Sequence, residues 1–235
     1  MRPVREMRDN SGLMRLRSLA PVLAAALLLA ACGTPSGTKK KAEPSKPADQ
    51  APAEFKVKFE TSKGEFVVHV HRDWAPRGAD RFYELVKSGF YDDSRFFRVI
   101  KEYVAQFGLA KDPKLSQLYA KSQIADDPVM KSNMKGRVSF AKAGPSSRTS
   151  QVFISLRNNR ALDEQGFAPF GEVISGMESV EKLHYGYGDY GGIDQSRILA
   201  EGNQYLDRNF SRLDKLVKAT IVEEGASSSS TPAKP

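Results

Sequence analysis

Phe96-Phe97-Arg98-Val99-Ile100, followed by Tyr103, Val104 and Gln106, sets one arginine in a run of aromatic and aliphatic residues. A short apolar run of this kind reads as a strand. A cation among apolar neighbours is costly unless an acceptor meets it. Two readings are open for Arg98. Either an acid elsewhere in the chain pairs with it, or its acceptor is a bound substrate. Further along, Gln151-Val152-Phe153-Ile154 places an amide beside an aromatic ring in a second run of the same type.

Outward from these runs, most of residues 55–224 reads as short strands. Phe55 to Glu60 alternates apolar and polar, Ser62-Lys63-Gly64 supplies a turn, and Glu65 to His71 alternates again, which predicts a hairpin. Phe96–Ile100, Val138–Ala141, Val152–Leu156 and Phe170–Ile174 are strand-like, and Ala219 to Val222 reads as a closing strand. Pro76 opens a helix with Phe82, Leu85 and Val86 on one face, and Gly89 ends it. A second short helix is expected over Met177–Leu183. Leu206, Phe210, Leu213 and Val217 have the spacing of one helix face within 199–217. Many short strands without βαβ alternation predict an antiparallel barrel or sandwich.

The chain has 235 residues and a formal charge of +8, unevenly placed. Residues 1–31 contribute +3, residues 32–54 and Lys234 +1 each, which leaves +3 for 55–224. A domain this weakly basic, without a Lys/Arg stripe interleaved with aromatics, is a poor candidate for nucleic acid. The basic start reads as a targeting signal: Arg15 and Arg17 precede an apolar run from Leu19 to Ala31, too short to span a bilayer. Met1, Met7 and Met14 are all possible starts. Residues 33–54, rich in Pro, Lys and Ala, cannot offset their ordering entropy and read as a tether, with a similar tail at 225–235. The expected organisation is a signal peptide over 1–31, Cys32 and the tether over 32–54, one folded domain over 55–224, and the tail.

Other chemistries find little support. His69 and His71 share one face of a strand and could hold a metal, but they need a third ligand, and His184 is the only other histidine; exposed strand residues are the expected reading. Gly186, Gly188 and Gly191 match G-x-G-x-x-G without the preceding strand a dinucleotide fold requires. Asp126-Asp127, before Pro128, reads as turn chemistry. No serine stands in a nucleophile elbow. No metal and no cofactor is expected.

Three blocks in order resemble the cyclophilin family of peptidyl-prolyl isomerases. The first runs from Gly89-Phe90-Tyr91-Asp92 through Phe96-Phe97-Arg98-Val99-Ile100 to Gln106. The second is Phe140-Ala141-Lys142-Ala143-Gly144-Pro145 with Thr149-Ser150-Gln151-Val152-Phe153-Ile154. The third is Leu162-Asp163 with Gly166-Phe167-Ala168-Pro169-Phe170-Gly171-Glu172-Val173. The resemblance covers roughly 55–224 and implies an eight-stranded antiparallel β-barrel capped by two helices, here with an extra helical insertion near the C-terminus. Leu29-Ala30-Ala31-Cys32 likewise resembles the lipobox of bacterial lipoproteins, whose cysteine is acylated and begins the mature chain. That implies a membrane-anchored protein outside the cytoplasm, in the cell membrane or the outer membrane. Plain cleavage after Ala31, leaving a free thiol, is the other reading.

By position in the blocks, the resemblance implies Arg98 as the catalytic arginine, with Gln106 beside it and Phe153 in the catalytic set. Tyr103, Val104 and Leu162 would join Phe153 in lining a proline pocket, and Ala141, Lys142 and Gln151 would contact the substrate backbone. Several positions depart from the family pattern. Lys142 stands where many members have asparagine, Val152 where phenylalanine is common, and Ala161 where eukaryotic members often have tryptophan. Phe167 falls near a familiar histidine, and Phe107-Gly108-Leu109 replaces Gly-Gly-Asp. The segments 109–136 and 186–217 exceed the minimal domain.

The implied chemistry is physically coherent. An X–Pro amide resists rotation by about 20 kcal/mol because its nitrogen lone pair is delocalised. Twisted, that nitrogen becomes a good acceptor, so a fixed guanidinium aimed at it would stabilise the transition state and hardly touch the ground state. Five decades of acceleration ask for only about 7 kcal/mol. The expected function is cis–trans isomerisation of X–Pro bonds in exported or unfolded proteins by a monomer that takes proline-containing segments of its clients. A peptide-binding or chaperone module with weak turnover on the same scaffold is the other reading.

Overall fold

The hairpin forms where the alternation places it. In the computed structural model, which describes residues 50–224, β1 (Glu54–Thr61) pairs antiparallel with β2 (Gly64–His71), in register from Thr61–Gly64 outward to Glu54–His71. There follow α1 (Pro76–Lys87), β3 (Ser94–Arg95), β4 (Arg98–Ile100), β5 (Val104–Phe107), α2 (Pro113–Ala120), β6 (Arg137–Phe140) and β7 (Val152–Ser155). The chain then forms α3 (Ala161–Glu164), β8 (Pro169–Ser175), α4 (Met177–Glu181), α5 (Gln195–Glu201), α6 (Asn203–Asn209) and β9 (Lys215–Glu224).

All pairings are antiparallel, in the order β3-β9-β1-β2-β8-β6-β7-β5-β4. The two edge strands, β3 and β4, are joined by Phe96 and Phe97 alone. That link spans at most about 11 Å, so the sheet must curl until its edges approach. The fold is thus mainly β, with nine strands where eight were expected. The run read as a strand over 96–100 begins only at Arg98, and a separate two-residue strand, Ser94–Arg95, precedes it and pairs with β9. Phe96 turns into the central core and Phe97 into a second apolar cluster.

The central core is aromatic. Phe59 and Phe66 stack across the hairpin at 4.7 Å, and Phe82 of α1 lies against the rings of Phe59 and Phe170 at 6.2 and 4.8 Å. Burying side chains of this size contributes roughly 1.5–3 kcal/mol each, so α1 is fixed to the sheet by the face its sequence displays.

Two expectations need correction. A helical face through Leu206, Phe210, Leu213 and Val217 does not exist: α6 stops at Asn209, Phe210 leaves helical geometry, and Val217 lies half-exposed in β9. The spacing arises because Leu206 and Leu213 pack, from different elements, into the cluster formed with Phe97, Leu109, Ile198 and Tyr205. The end of the expected tether is also part of the fold. Ala51 is buried, its N–H donates to Asp80 at 3.0 Å, and Glu54 already pairs in β1. The expected signal segment, Cys32, the rest of the tether and the tail lie outside the described residues. Among those described, no helix is long and apolar enough to cross a membrane.

Candidate active site

Strands β5 and β7 are buried on both faces, and alternate residues serve different purposes. Ala105, Phe107, Val152 and Ile154 enter the central core. Val104 and Phe153 turn the other way and join Leu162 in a separate cluster, against which Ile100, Tyr103, Ala141 and Phe167 pack. The apolar character of these strands therefore has two causes, one core inside the curl and one pocket outside it.

Register assembles the polar part. Arg98 of β4 faces Gln106 of β5, and Gln106 faces Phe153 of β7. Arg98 Nη1 donates to Gln106 Oε1 at 3.0 Å, and Gln106 Nε2 donates to Gln151 Oε1 at 2.8 Å. Gly108 permits this approach: it adopts φ 108°, and a Cβ there would lie 2.5 Å from the Ser150 carbonyl oxygen. A cavity of about 140 Å³ is lined by Arg98, Tyr103, Val104, Gln106, Ala141, Lys142, Phe153, Leu162 and Phe167. A second, of about 270 Å³, shares Gln106, Ala141 and Lys142 with it and adds Thr149, Gln151 and Gln195. Every expected site residue of the domain thus lies in one of two adjoining cavities.

Arg98 itself differs from expectation. It is not a buried cation awaiting an acceptor: its side chain is 28% exposed, and an acid does meet it. Nε donates to Asp189 Oδ1 and Nη2 to Asp189 Oδ2, the latter at 3.2 Å. The glycine-rich segment around 186–192, unsuited to a dinucleotide, carries this carboxylate to the site. The same insertion supplies Gln195 from the start of α5. Neither residue was legible in the sequence.

Lys142 is held rather than free. Its Nζ donates to Asp126 at 3.2 Å, lies 5.6 Å from the centre of the Phe167 ring, and only a tenth of its side chain is exposed. Asp126 also accepts from Ser146 N at 3.0 Å. Burial pushes the Asp126 carboxyl up, but the Ser146 and Lys142 hydrogen bonds outweigh it and hold the carboxyl below its ordinary value. Its neighbour Asp127 accepts from Arg77 N, Gly78 N and Arg148 Nη2 at 3.1, 2.9 and 3.0 Å. The acid pair is therefore no simple turn. One member braces the groove, and the other takes up the first turn of α1.

Behind the pocket, Asp163 of α3 accepts from Ser132 Oγ and from Asn133 N and Nδ2 at 2.8 and 2.7 Å. Asn133 in turn donates to the Phe167 carbonyl at 2.8 Å, so this carboxylate steadies two pocket walls, Leu162 and Phe167. Burial raises the Asp163 carboxyl, but the Ser132 and Asn133 hydrogen bonds prevail and hold it low. A carboxylate lowered in the fold stabilises above its unfolded value, about 3.9, and loses that contribution as pH falls through the folded value. Asp163→Asn is thus expected to melt below the wild type at neutral pH, with the gap closing as pH drops under about 4; thermal melts across that range check it.

Comparison with known proteins points to one family. The family model described as "Cyclophilin type peptidyl-prolyl cis-trans isomerase/CLD" matches residues 56–200. Peptidyl-prolyl cis-trans isomerase B of Escherichia coli K12 is 30% identical over 177 residues, which are 72% of this chain and 99% of that protein. Peptidyl-prolyl cis-trans isomerase CYP18-2 of Arabidopsis thaliana is 34% identical over 134 residues, 54% of this chain and 79% of the relative. A solved cyclophilin-type isomerase of Cryptosporidium parvum, 21% identical, superposes with a TM-score of 0.53 over 73% of this chain and 99% of its own, a likeness of fold. The chain belongs to the cyclophilin-type peptidyl-prolyl cis-trans isomerases. It is an isomerase of X–Pro peptide bonds.

Proposed function

We propose that Arg98 donates to the prolyl nitrogen as the X–Pro amide twists, while Phe153, Tyr103, Val104 and Leu162 hold the ring. The observation that carries this reading is the facing placement of Arg98, Gln106 and Phe153 on three neighbouring strands beside one apolar cavity. Gln106 orients the guanidinium through Nη1, and Gln151 orients Gln106. Ala141, Lys142 and Gln151 would meet the substrate backbone along the second cavity, where Ala141 N already donates to the Gln151 carbonyl at 2.9 Å.

Asp189 would act as a brake. A carboxylate against the guanidinium cancels part of the field that the twisted nitrogen would feel. The pair is exposed by 28% and 44%, so it is worth on the order of 1 kcal/mol or less and yields to salt. Asp189→Asn is expected to raise kcat/KM about two- to fivefold at low ionic strength. Wild-type turnover should rise toward the variant's as salt is added. A fall in turnover would instead make Asp189 the residue that aims Arg98.

We further propose that the enzyme serves exported or unfolded proteins from a lipid anchor at Cys32, outside the cytoplasm. The only cysteine of the chain stands where a lipobox needs it, after a short apolar run and before a polar segment whose reach as a coil is roughly 25 Å. Several acyl chains on one residue would hold it stably. Cys32→Ala is expected to leave the membrane fraction; a variant that fractionates like the wild type would refute the anchor.

A further inference from the structure

Far from the groove, the outer face of the hairpin gathers two histidines and a carboxylate. In the sheet order, β2 is separated from β4 by β8, β6, β7 and β5. His69 and His71 point to the same side of β2, their ring centres 4.1 Å apart. The hairpin register sets Glu54 opposite His71. Glu54 supplies the third donor that the histidines lacked in the sequence. Its Oε2 lies 3.3 Å from His69 Nε2 and its Oε1 3.4 Å from His71 Nδ1, and one donor atom from each of the three residues lies within 4.8 Å of the others.

We propose that Glu54, His69 and His71 bind a divalent transition-metal ion, with zinc the best match to the donor set. Two imidazole nitrogens and one carboxylate oxygen form a three-ligand zinc set whose fourth position is left to water. Donors bonded at about 2.1 Å in a tetrahedron stand roughly 3.4 Å apart; here the two short separations run to different carboxylate oxygens, and with one oxygen per carboxylate the three donors lie within 4.8 Å of one another, so they would close in around an ion.

The surroundings hold His71 in the orientation this needs. Its ring stacks on Trp74 at 4.0 Å and 18°, and Trp74 is itself covered by the Arg137 guanidinium at 4.4 Å. His71 Nε2 is buried, without a hydrogen-bond partner, and 3.6 Å from Glu172 Oε1. A proton on Nε2, drawn toward Glu172, leaves Nδ1 as the free lone pair facing Glu54. That is the arrangement in which an outer carboxylate fixes the tautomer of a metal-bound histidine. Glu172 is kept in place by Arg137 at 2.9 Å. Lys56, opposite His69 in the hairpin register, is engaged by Glu223 at 2.8 Å. The competing account is a set of imidazolium–carboxylate pairs that holds no ion.

Trp74 is the only tryptophan in the chain, so the site carries its own reporter. The full chain is titrated with copper(II), which quenches a nearby indole, and zinc is then added in competition. The expected result is saturable quenching at one equivalent, reversed by zinc. His69→Gln and Glu54→Gln should each weaken zinc about tenfold or more, while His184→Gln and Cys32→Ser leave it unchanged. Isomerase turnover in every variant verifies folding. Three results would overturn the proposal: no saturation up to millimolar metal, equal binding by the hairpin variants and the wild type, or binding lost with Cys32 instead.

Discussion

Arg98→Ala is expected to lower kcat/KM for a proline peptide by about 10²–10³-fold, the loss that follows removal of one preorganised donor from a transition state. The side chain is partly exposed and its hydrogen bonds go to Gln106 and Asp189, so truncation leaves no buried charge behind. Stability should hardly change, and a melt separates lost chemistry from lost folding. Binding of a proline peptide should survive, because the apolar walls remain and a ground-state amide nitrogen is a poor acceptor. The deficit would therefore appear in kcat rather than KM. Arg98→Lys should recover little of it, since a point charge cannot reproduce the planar fork that Gln106 orients. Exchange within threefold of the wild type in the alanine variant would end the assignment of Arg98 to the reaction.

The largest effect on stability is expected at Asp127. The first turn of α1 has no side-chain cap of its own, since Ala75 stands at that position. Asp127, from the loop before β6, accepts from the N–H groups of Arg77 and Gly78 instead. It also meets Arg148, whose side chain is only 3% exposed. Arg148 donates to the Ala125 carbonyl as well, yet its Nε and Nη1 lack hydrogen-bond partners. Asp127→Ala would leave that guanidinium buried with Asp126, 3.4 Å from Nε, as its remaining counter-charge, a change that costs up to about 3–5 kcal/mol. Loss of the helix cap adds about 1 kcal/mol. Against a total of roughly 5–15 kcal/mol, the melting temperature should fall by on the order of 10 °C. Asp127→Asn keeps an acceptor for the helix and should cost less. A drop of only a degree or two in the alanine variant would mean that Arg148 finds water or Asp126 at little expense.

Much of the curled sheet could be read directly. The alternation over 55–71 and the intervening turn define a hairpin without help from the rest of the chain. From Thr61 opposite Gly64, counting outward also sets Glu54 opposite His71, so the third ligand of the outer cluster was legible once Glu54 was counted with the strand rather than with the tether. The groove was legible only through the three blocks that resemble the cyclophilin family, since its residues alternate along β5 and β7 with residues of the core and the apolar run alone does not separate the two. Asp189 was not, since it lies 91 residues from Arg98 in a glycine-rich segment with no period to betray its direction. The helix expected through Val217 failed for a related reason. Strand β9 is bulged, with its register against β1 shifting twice, which breaks the alternation that would have marked it.

The cluster around Phe97 bears on how this protein could be shortened. The segment 186–213 would look like an appendage to remove in making a minimal catalyst. Phe97 and Leu109, however, belong to the same apolar cluster as Ile198, Tyr205 and Leu206, and Phe97 precedes the arginine directly. Excision would wet two large side chains, one of them on the link between the sheet's edge strands, and present a sticky surface next to the groove. A trimmed version would have to exchange both for polar residues at the same time, or it would trade solubility for size.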